Sequence, residues 1–252
     1  MKKILIATII MTIAFCSCKK IEGDGNVITD TRNINEFFQE VINETAFDVE
    51  VVFSNENKVV IIAESNIAQL LSVKVKQKKL IIKKEKSKYR LNNTQPVSIT
   101  VYMKSNDYMY FSNFGSGEMT IYSPTARKME LENTGSGELT VLSPLSRELK
   151  FENSGSGNLY ASECESEAIE IISSASGDVD IKGVTGDVKI TDSGSGDIDC
   201  YNLLAQYVEI HSSGSGLIEA YATDEADVWI SGSSEVYVFG TDRIRYHYEY
   251  ED

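Results

Sequence analysis

Four carboxylates crowd one short stretch of this 252-residue chain: Asp178, Asp180, Asp197 and Asp199. The members of each pair are two residues apart, so in an extended strand both face the same way. On neighbouring strands the four form a two-by-two patch. A hard, oxygen-preferring cation such as calcium relieves the mutual repulsion of such a patch. A solvated acidic face that aids solubility uses the same residues. The other reactive types are sparse. His211 and His247 are the only histidines, lie far apart in sequence, and read as surface residues without a partner. The many serines have no accompanying base to make one a nucleophile. The Gly-Ser-Gly runs are no phosphate loop, because no helix follows them and no lysine closes them. No catalytic residue is assigned.

Fold reasoning has to begin after the N-terminus. Lys2 and Lys3 precede an apolar run from Ile4 to Phe15, which is shorter than the ~20 residues of a membrane-spanning helix and reads as a signal-peptide core. Phe15-Cys16-Ser17-Cys18 follows. A small residue directly before a cysteine resembles the bacterial lipobox, with residues 1–17 as signal peptide and Cys18 as the acylated residue. Ordinary secretion with cleavage nearby is the other reading. No other stretch is long and apolar enough to span a membrane, so lipid alone is the expected attachment. Residues 18–26 read as a flexible lipidated tether, with loose likeness to a surface-export signal. The net charge of −14 becomes −16 when Lys2 and Lys3 leave. Such an acidic body repels nucleic acid and anionic lipid, so neither is an expected partner.

The elements that must position these residues follow from a repeat. Gly-Ser-Gly begins at positions 115, 135, 155, 194 and 214, with degenerate copies Ala175-Ser176-Gly177 and Gly232-Ser233-Ser234. The interval between copies is nearly constant and shortest before the last, which is the signature of a solenoid. Apolar residues stand two and four places after each motif, as Leu139/Val141 and Ile198/Cys200 illustrate. Others stand eight and six places before the motif's last residue, as in Met129/Leu131 and Val208/Ile210. The last copy is expected to shift by two, to Val228/Ile230. Two short strands per coil therefore face one core, and glycine is expected at the bend because it accepts positive φ. Stacked strands ~4.8 Å apart make a rod roughly 30 Å long from seven coils. Asn113, Asn133 and Asn153, then Ser173, Asp192 and Ser212, predict a polar ladder at the turn with amides bonding between coils.

The same register places the remaining candidates. The residue after each motif is Glu118, Glu138, Asn158, Asp178, Asp197, Leu217 or Glu235, an acidic column. Cys164 and Cys200 fall two coils apart, roughly 9–10 Å, beyond the ~7 Å a disulfide allows, so both are expected to be free thiols. Tyr110, Tyr160, Trp229 and Tyr237 occupy outward columns and offer flat surfaces to sugar rings or a protein, without evident convergence. Residues 27–103 lack the motif but alternate as strands, and read as irregular early coils or a β-rich cap. Residues 104–240 are the regular solenoid, and 241–252 an alternating tail that caps its far end.

These repeats, with Phe47-Asp48-Val49-Glu50-Val51, Ala63-Glu64-Ser65-Asn66-Ile67 and Lys79-Leu80-Ile81-Ile82 upstream, resemble the head-GIN, putative auto-transporter adhesin family of Bacteroidetes lipoproteins. The resemblance covers roughly residues 35–240. It implies an all-β, right-handed parallel β-helix with coils of about 20 residues and an adhesin-like label, and brings no functional residues with it. The expectation is an outer-membrane lipoprotein, facing the cell surface or the periplasm, that binds a glycan or protein ligand. It needs no cofactor unless the aspartates hold calcium, touches the membrane only through its anchor, and binds no nucleic acid. An alternative is a polysaccharide-lyase-like enzyme. It requires a cation site and a basic residue in one groove, whereas Arg127 and Arg147 share a column away from the acidic patch. Another is a structural or regulatory envelope protein.

Overall fold

The computed structural model describes residues 19–174 and 176–248. Cys18, and with it the lipidation expectation, lies outside the described residues, as do Ala175 and residues 249–252. Alternating apolar positions turn one strand face inward, and the near-constant interval brings equivalent residues of successive coils into register. In the sheet before each turn, Met109, Met129, Leu149, Ile169, Val188, Val208 and Ala226 pair from coil to coil, all buried. In the sheet after it, Val49, Met119, Leu139, Leu159, Val179, Ile198 and Ile218 do the same. The chain is a parallel β-solenoid of about seven turns.

A third, shorter stack completes each coil. Thr125, Leu145, Glu165, Val184 and Leu204 pair in succession, with Ser146, Thr185 and Ala205 turned inward beside them. The third stack falls outside the two-strand expectation because its inward residues are small or hydroxylated. In the later coils it fuses with its neighbours into the long strands Leu159–Ser173, Val179–Asp192, Ile198–Ser212 and Leu217–Ile230.

Two expectations about the turns are corrected. The motif glycines do not have positive φ; among the described glycines that conformation occurs at Gly25, Gly183 and Gly240. Glycine is needed for close approach instead: a Cβ on Gly135 would collide with the carbonyl oxygen of Gly115, one coil away. The last copy is also not shifted. Val208 pairs with Ala226 and Ile210 with Val228, both buried, while Ile230 lies opposite Ser212. The shortening is absorbed at the corner, where Cys200 pairs with Ala220 but Leu204 with Tyr221.

The polar ladder is present and buried, but its amides mostly bond to backbone. Asn113 Nδ2 donates to the carbonyls of Gly117 (2.9 Å) and Glu138 (3.1 Å), and Asn133 Nδ2 to those of Gly137 (3.0 Å) and Asn158 (3.1 Å). Each amide thus closes its own turn and ties it to the next coil. Asn43 joins this ladder by donating to Asn113 Oδ1 at 3.1 Å.

Residues 27–103 contain both stacked parallel strands and antiparallel closing strands. Glu40–Asn43 and Asp48–Phe53 form a coil beneath Tyr108–Asn113 and Met119–Tyr122. Lys79–Lys84 and Ser98–Met103 stack in parallel beneath that coil. Antiparallel strands then end the stack: Leu71–Lys76 on Lys79–Lys84, and Val27–Asn33 on Lys58–Glu64 on Ser98–Met103. The one-turn helix Ser65–Ala68 buries Ile67 and Ala68 at this end. At the other end the described residues include no separate lid. Ile244–Tyr248 pairs in parallel with Ala226–Ile230 as part of the last coil, and Val236, Val238 and Ile244 remain half-buried.

The residues after Cys18 are not a loose tether. Lys19–Glu22 is a strand paired in parallel with Tyr89–Asn92. The fully buried carboxylate of Glu64 accepts hydrogen bonds from Gly25 N–H (2.7 Å), Thr94 N–H (2.8 Å) and Thr94 Oγ1 (2.5 Å). The Thr94 hydroxyl, followed by these backbone donors, holds that carboxyl below its ordinary range. The stem is clamped to the cap.

Candidate functional site

The sheet before each turn carries three outward columns. In one of them Thr191, His211, Trp229 and His247 stand opposite each other on successive coils. Strand spacing is close to the thickness of stacked rings, so side chains in one column can lie face to face. Trp229 is sandwiched: His211 stacks at 4.5 Å between centroids with 2° between planes, and His247 at 4.8 Å with 11°. The expectation of two unpartnered histidines is therefore wrong. The equal spacing of His211, Trp229 and His247 along the chain carried the signal, but reading it requires the unshifted last coil.

Charged residues of the adjacent column fix the ladder from the side. Glu209 Oε1 bonds His211 Nε2 at 2.8 Å and receives Lys189 Nζ at 2.6 Å. Asp227 accepts Arg245 Nε at 2.5 Å and Tyr207 OH at 2.7 Å, and lies 4.0 Å from His247 Nε2. The Arg245 guanidinium, then the Tyr207 hydroxyl, pull the Asp227 carboxyl down to about 2. Reciprocally, Asp227 pushes the Tyr207 hydroxyl up to about 12. Next to the rings lies a groove of about 420 Å³ lined by Thr191, His211, Trp229, Ile230 and turn serines. On the same face, small Ala168 leaves a dip of about 330 Å³ bordered by Lys150, Glu170, Lys189 and Tyr207. Because the two histidines cover both faces of Trp229, the indole presents its edge.

The other sequence candidates lie elsewhere. Asp178 Oδ1 accepts Asp197 N–H at 3.0 Å, and Asp197 Oδ1 accepts Leu217 N–H at 2.8 Å, each binding the next coil. Asp180 pairs with Lys182 at 2.7 Å, and Asp199 accepts Tyr201 N–H at 3.0 Å. The four do not gather around one point, and among the described residues no group of three or more His, Cys, Asp or Glu could hold a metal ion. Arg147 is bound to Glu167 on the third stack, at 3.0 and 2.9 Å, so no groove unites it with the aspartates. Tyr160 and Tyr237 share the column of Asp180 and Asp199 in the other sheet, while Tyr110 donates to Glu132 on the ladder's sheet. Cys164 and Cys200 are free and buried, and burial pushes the Cys164 thiol up to about 12. Both are structural thiols.

Residues 37–241 match the family described as putative auto-transporter adhesin, head GIN domain. The chain belongs to that family. Among solved structures, the head GIN chain is similar to a putative adhesin from Parabacteroides merdae, with TM-score 0.76, 15% identity, and 91% of this chain and 95% of that one covered. It is also similar to a putative lipid binding protein from Parabacteroides distasonis (TM-score 0.71, 22% identity, 90% and 97% covered). A putative adhesin from Bacteroides fragilis aligns with TM-score 0.63 at 22% identity over 91% and 96%. At such identities these likenesses establish the fold alone. A search among curated proteins finds no match. Among the described residues no helix is long and apolar enough to cross a membrane.

Proposed function

We propose that this head GIN protein is a cell-envelope lipoprotein, anchored through Cys18, that acts as an adhesin-like module for a glycan or protein ligand. The His211–Trp229–His247 ladder carries the reading. It is a rigid aromatic row set in a sheet, at the end of the stack opposite the stem that begins at Lys19. Ring edges bordered by Asp227, Arg245 and Glu209 combine apolar contact with hydrogen-bonding groups, the mixture that polar ligands and wet interfaces use. Pre-set side chains lose little freedom on binding, which favours affinity from a small patch. The solved relatives that bear adhesin names share the fold that supports such a face.

The test is an array of host and dietary glycans and matrix proteins, probed with the chain from Lys19 onward and with its Trp229→Ala variant. A specific signal that falls at least tenfold in the variant, with the β-sheet circular dichroism retained, is expected. A blank array, or binding indifferent to the substitution, would remove the ladder from this role.

A further inference from the structure

The net charge of −14 conceals a separation along the rod. Residues 71–104 hold ten Lys and Arg and a single acid, Glu85, whereas residues 105–252 hold eight Lys and Arg against twenty-seven Asp and Glu. The fold turns this into polarity. The basic segment supplies the closing hairpin Leu71–Lys76/Lys79–Lys84 and the strand Tyr89–Asn92, all at the cap end. The acidic segment forms the shaft. Lys74, Lys76, Lys78, Lys83, Lys86 and Arg90 are exposed, as are Lys19 and Lys20 on the strand beside Tyr89–Asn92. Of the acids nearby, Glu85 pairs with Lys74 at 3.8 Å, Glu22 with Lys20 at 2.5 Å, and Asp24 accepts from Ser65 at 2.5 Å, while Glu44 shares a groove with Lys84. Lysines on an edge strand block unwanted strand addition, which accounts for Lys74 and Lys76. It leaves Lys83, Lys86 and Arg90 unexplained, since none of them lies on that edge strand.

We infer that this basic end is a docking surface for the anionic lipid headgroups of the membrane, and that it stands the rod on end. The place of the membrane rests on the reading of Cys18 as the lipidated residue; the charge separation does not. In the sequence Cys18 directly precedes Lys19, the first described residue. Because Lys19–Glu22 is clamped to Tyr89–Asn92, an acyl chain on Cys18 must enter the bilayer beside the basic surface. No slack remains for the body to drift away. Cations within a Debye length of an anionic surface are attracted to it, and the acidic shaft is repelled from it. The two forces make one torque, and it points the Trp229 end outward.

The experiment uses the chain from Lys19 onward, which keeps every element described above, and phosphatidylcholine vesicles with or without phosphatidylglycerol in co-sedimentation. Binding is expected only to the phosphatidylglycerol vesicles, and to weaken as salt is raised. Replacing Lys76, Lys83, Lys86 and Arg90 with Gln should reduce partitioning more than a hundredfold, at roughly fivefold per charge. Replacing Arg127, Lys128, Arg147 and Lys182 with Gln changes net charge equally and should leave it within about threefold. Equal losses in both variants, or equal binding to both vesicle types, would overturn the inference. The mass of the protein extracted from its envelope reports Cys18 acylation separately. An unmodified mass sinks the anchor reading, while selective vesicle binding would still uphold the basic docking surface.

Discussion

The two ends of this solenoid solve the same problem in different ways. At the cap end, antiparallel strands and the Ser65–Ala68 turn seal the core, and Phe38, Ile61, Ile67 and Leu80 are fully buried. At the other end the last coil is the outermost layer among the described residues, and Val236, Val238 and Ile244 are only half covered. A solenoid coil is stabilised by its neighbours, so an interior coil has two interfaces and a terminal one has a single interface. The cap end thus has the closure and the stem, while the open end has the aromatic ladder and the exposed ring edges. Stability and display are assigned to opposite ends.

The sharpest way to break this comparison is to delete an apolar side chain from a coil with two interfaces and another from the terminal coil. Phe151 is completely buried in the middle of the shaft, so Phe151→Ala should cost about 3–5 kcal/mol. Val238→Ala in the terminal coil should cost less than about 1 kcal/mol, since much of that side chain already meets water. Urea unfolding monitored by circular dichroism measures both. Similar losses would mean that the last coil is as firmly held as the shaft.

Acid should separate a second pair of sites. Asp227, beside the ladder, has its carboxyl pulled from an ordinary 3.8 to about 2 by Arg245 and Tyr207. Its folded value lies below the unfolded one, so the stability it contributes is complete above about pH 4 and is lost as pH falls toward 2. Asp192, in the buried turn ladder, is shifted the other way by burial, against the hydrogen bonds from Gly194 and Ser212 that oppose the shift. Its carboxylate burdens the fold above the raised value, and the burden disappears as pH falls through that value toward the ordinary 3.8. Asp227→Asn should therefore lower stability at pH 7 and flatten the loss between pH 4 and 2. Asp192→Asn should raise stability at pH 7, by up to about 1 kcal/mol, because an amide suits a column that already holds Asn113, Asn133 and Asn153. Thermal melts across that pH range decide; a common slope for both variants would contradict the assignment.

How much of this was legible in the sequence depended on whether partners share the repeat. The core columns were readable from spacing alone, because each inward residue meets its equivalent one repeat further along the chain. Lys19–Glu22 was not, since its partner Tyr89–Asn92 is remote in the chain and neither strand has a strong pattern. The cap was ambiguous because chain order and stacking order differ there: Lys79–Lys84 lies beneath the earlier strand Glu40–Asn43. The ladder escaped because one wrong step in register, at the shortened corner, separated Trp229 from both histidines. The aspartates showed the opposite failure. Their spacing was visible, but not that Asp178 and Asp197 spend an oxygen on the next coil's backbone.

The corner that absorbs changes in coil length also offers the smallest and cleanest contrast between coils. Ser123, Ser143 and Glu163 occupy one corner position with φ of 48°, 50° and 53°, a left-handed conformation that non-glycine residues adopt at a cost. In the next coil that neighbourhood holds Gly183, with φ of 146°, where the register also shifts. Ser143→Gly should relieve about 1 kcal/mol of backbone strain and lose part of it to the greater freedom of unfolded glycine. It also gives up the Ser143 Oγ bond to Glu163 Oε2 at 2.6 Å, which is exposed and therefore worth little. The net expectation is a gain of a few tenths of a kcal/mol in urea unfolding. A loss above about 1 kcal/mol would show that the serine hydroxyls, rather than the tolerance of the backbone, hold these corners in register.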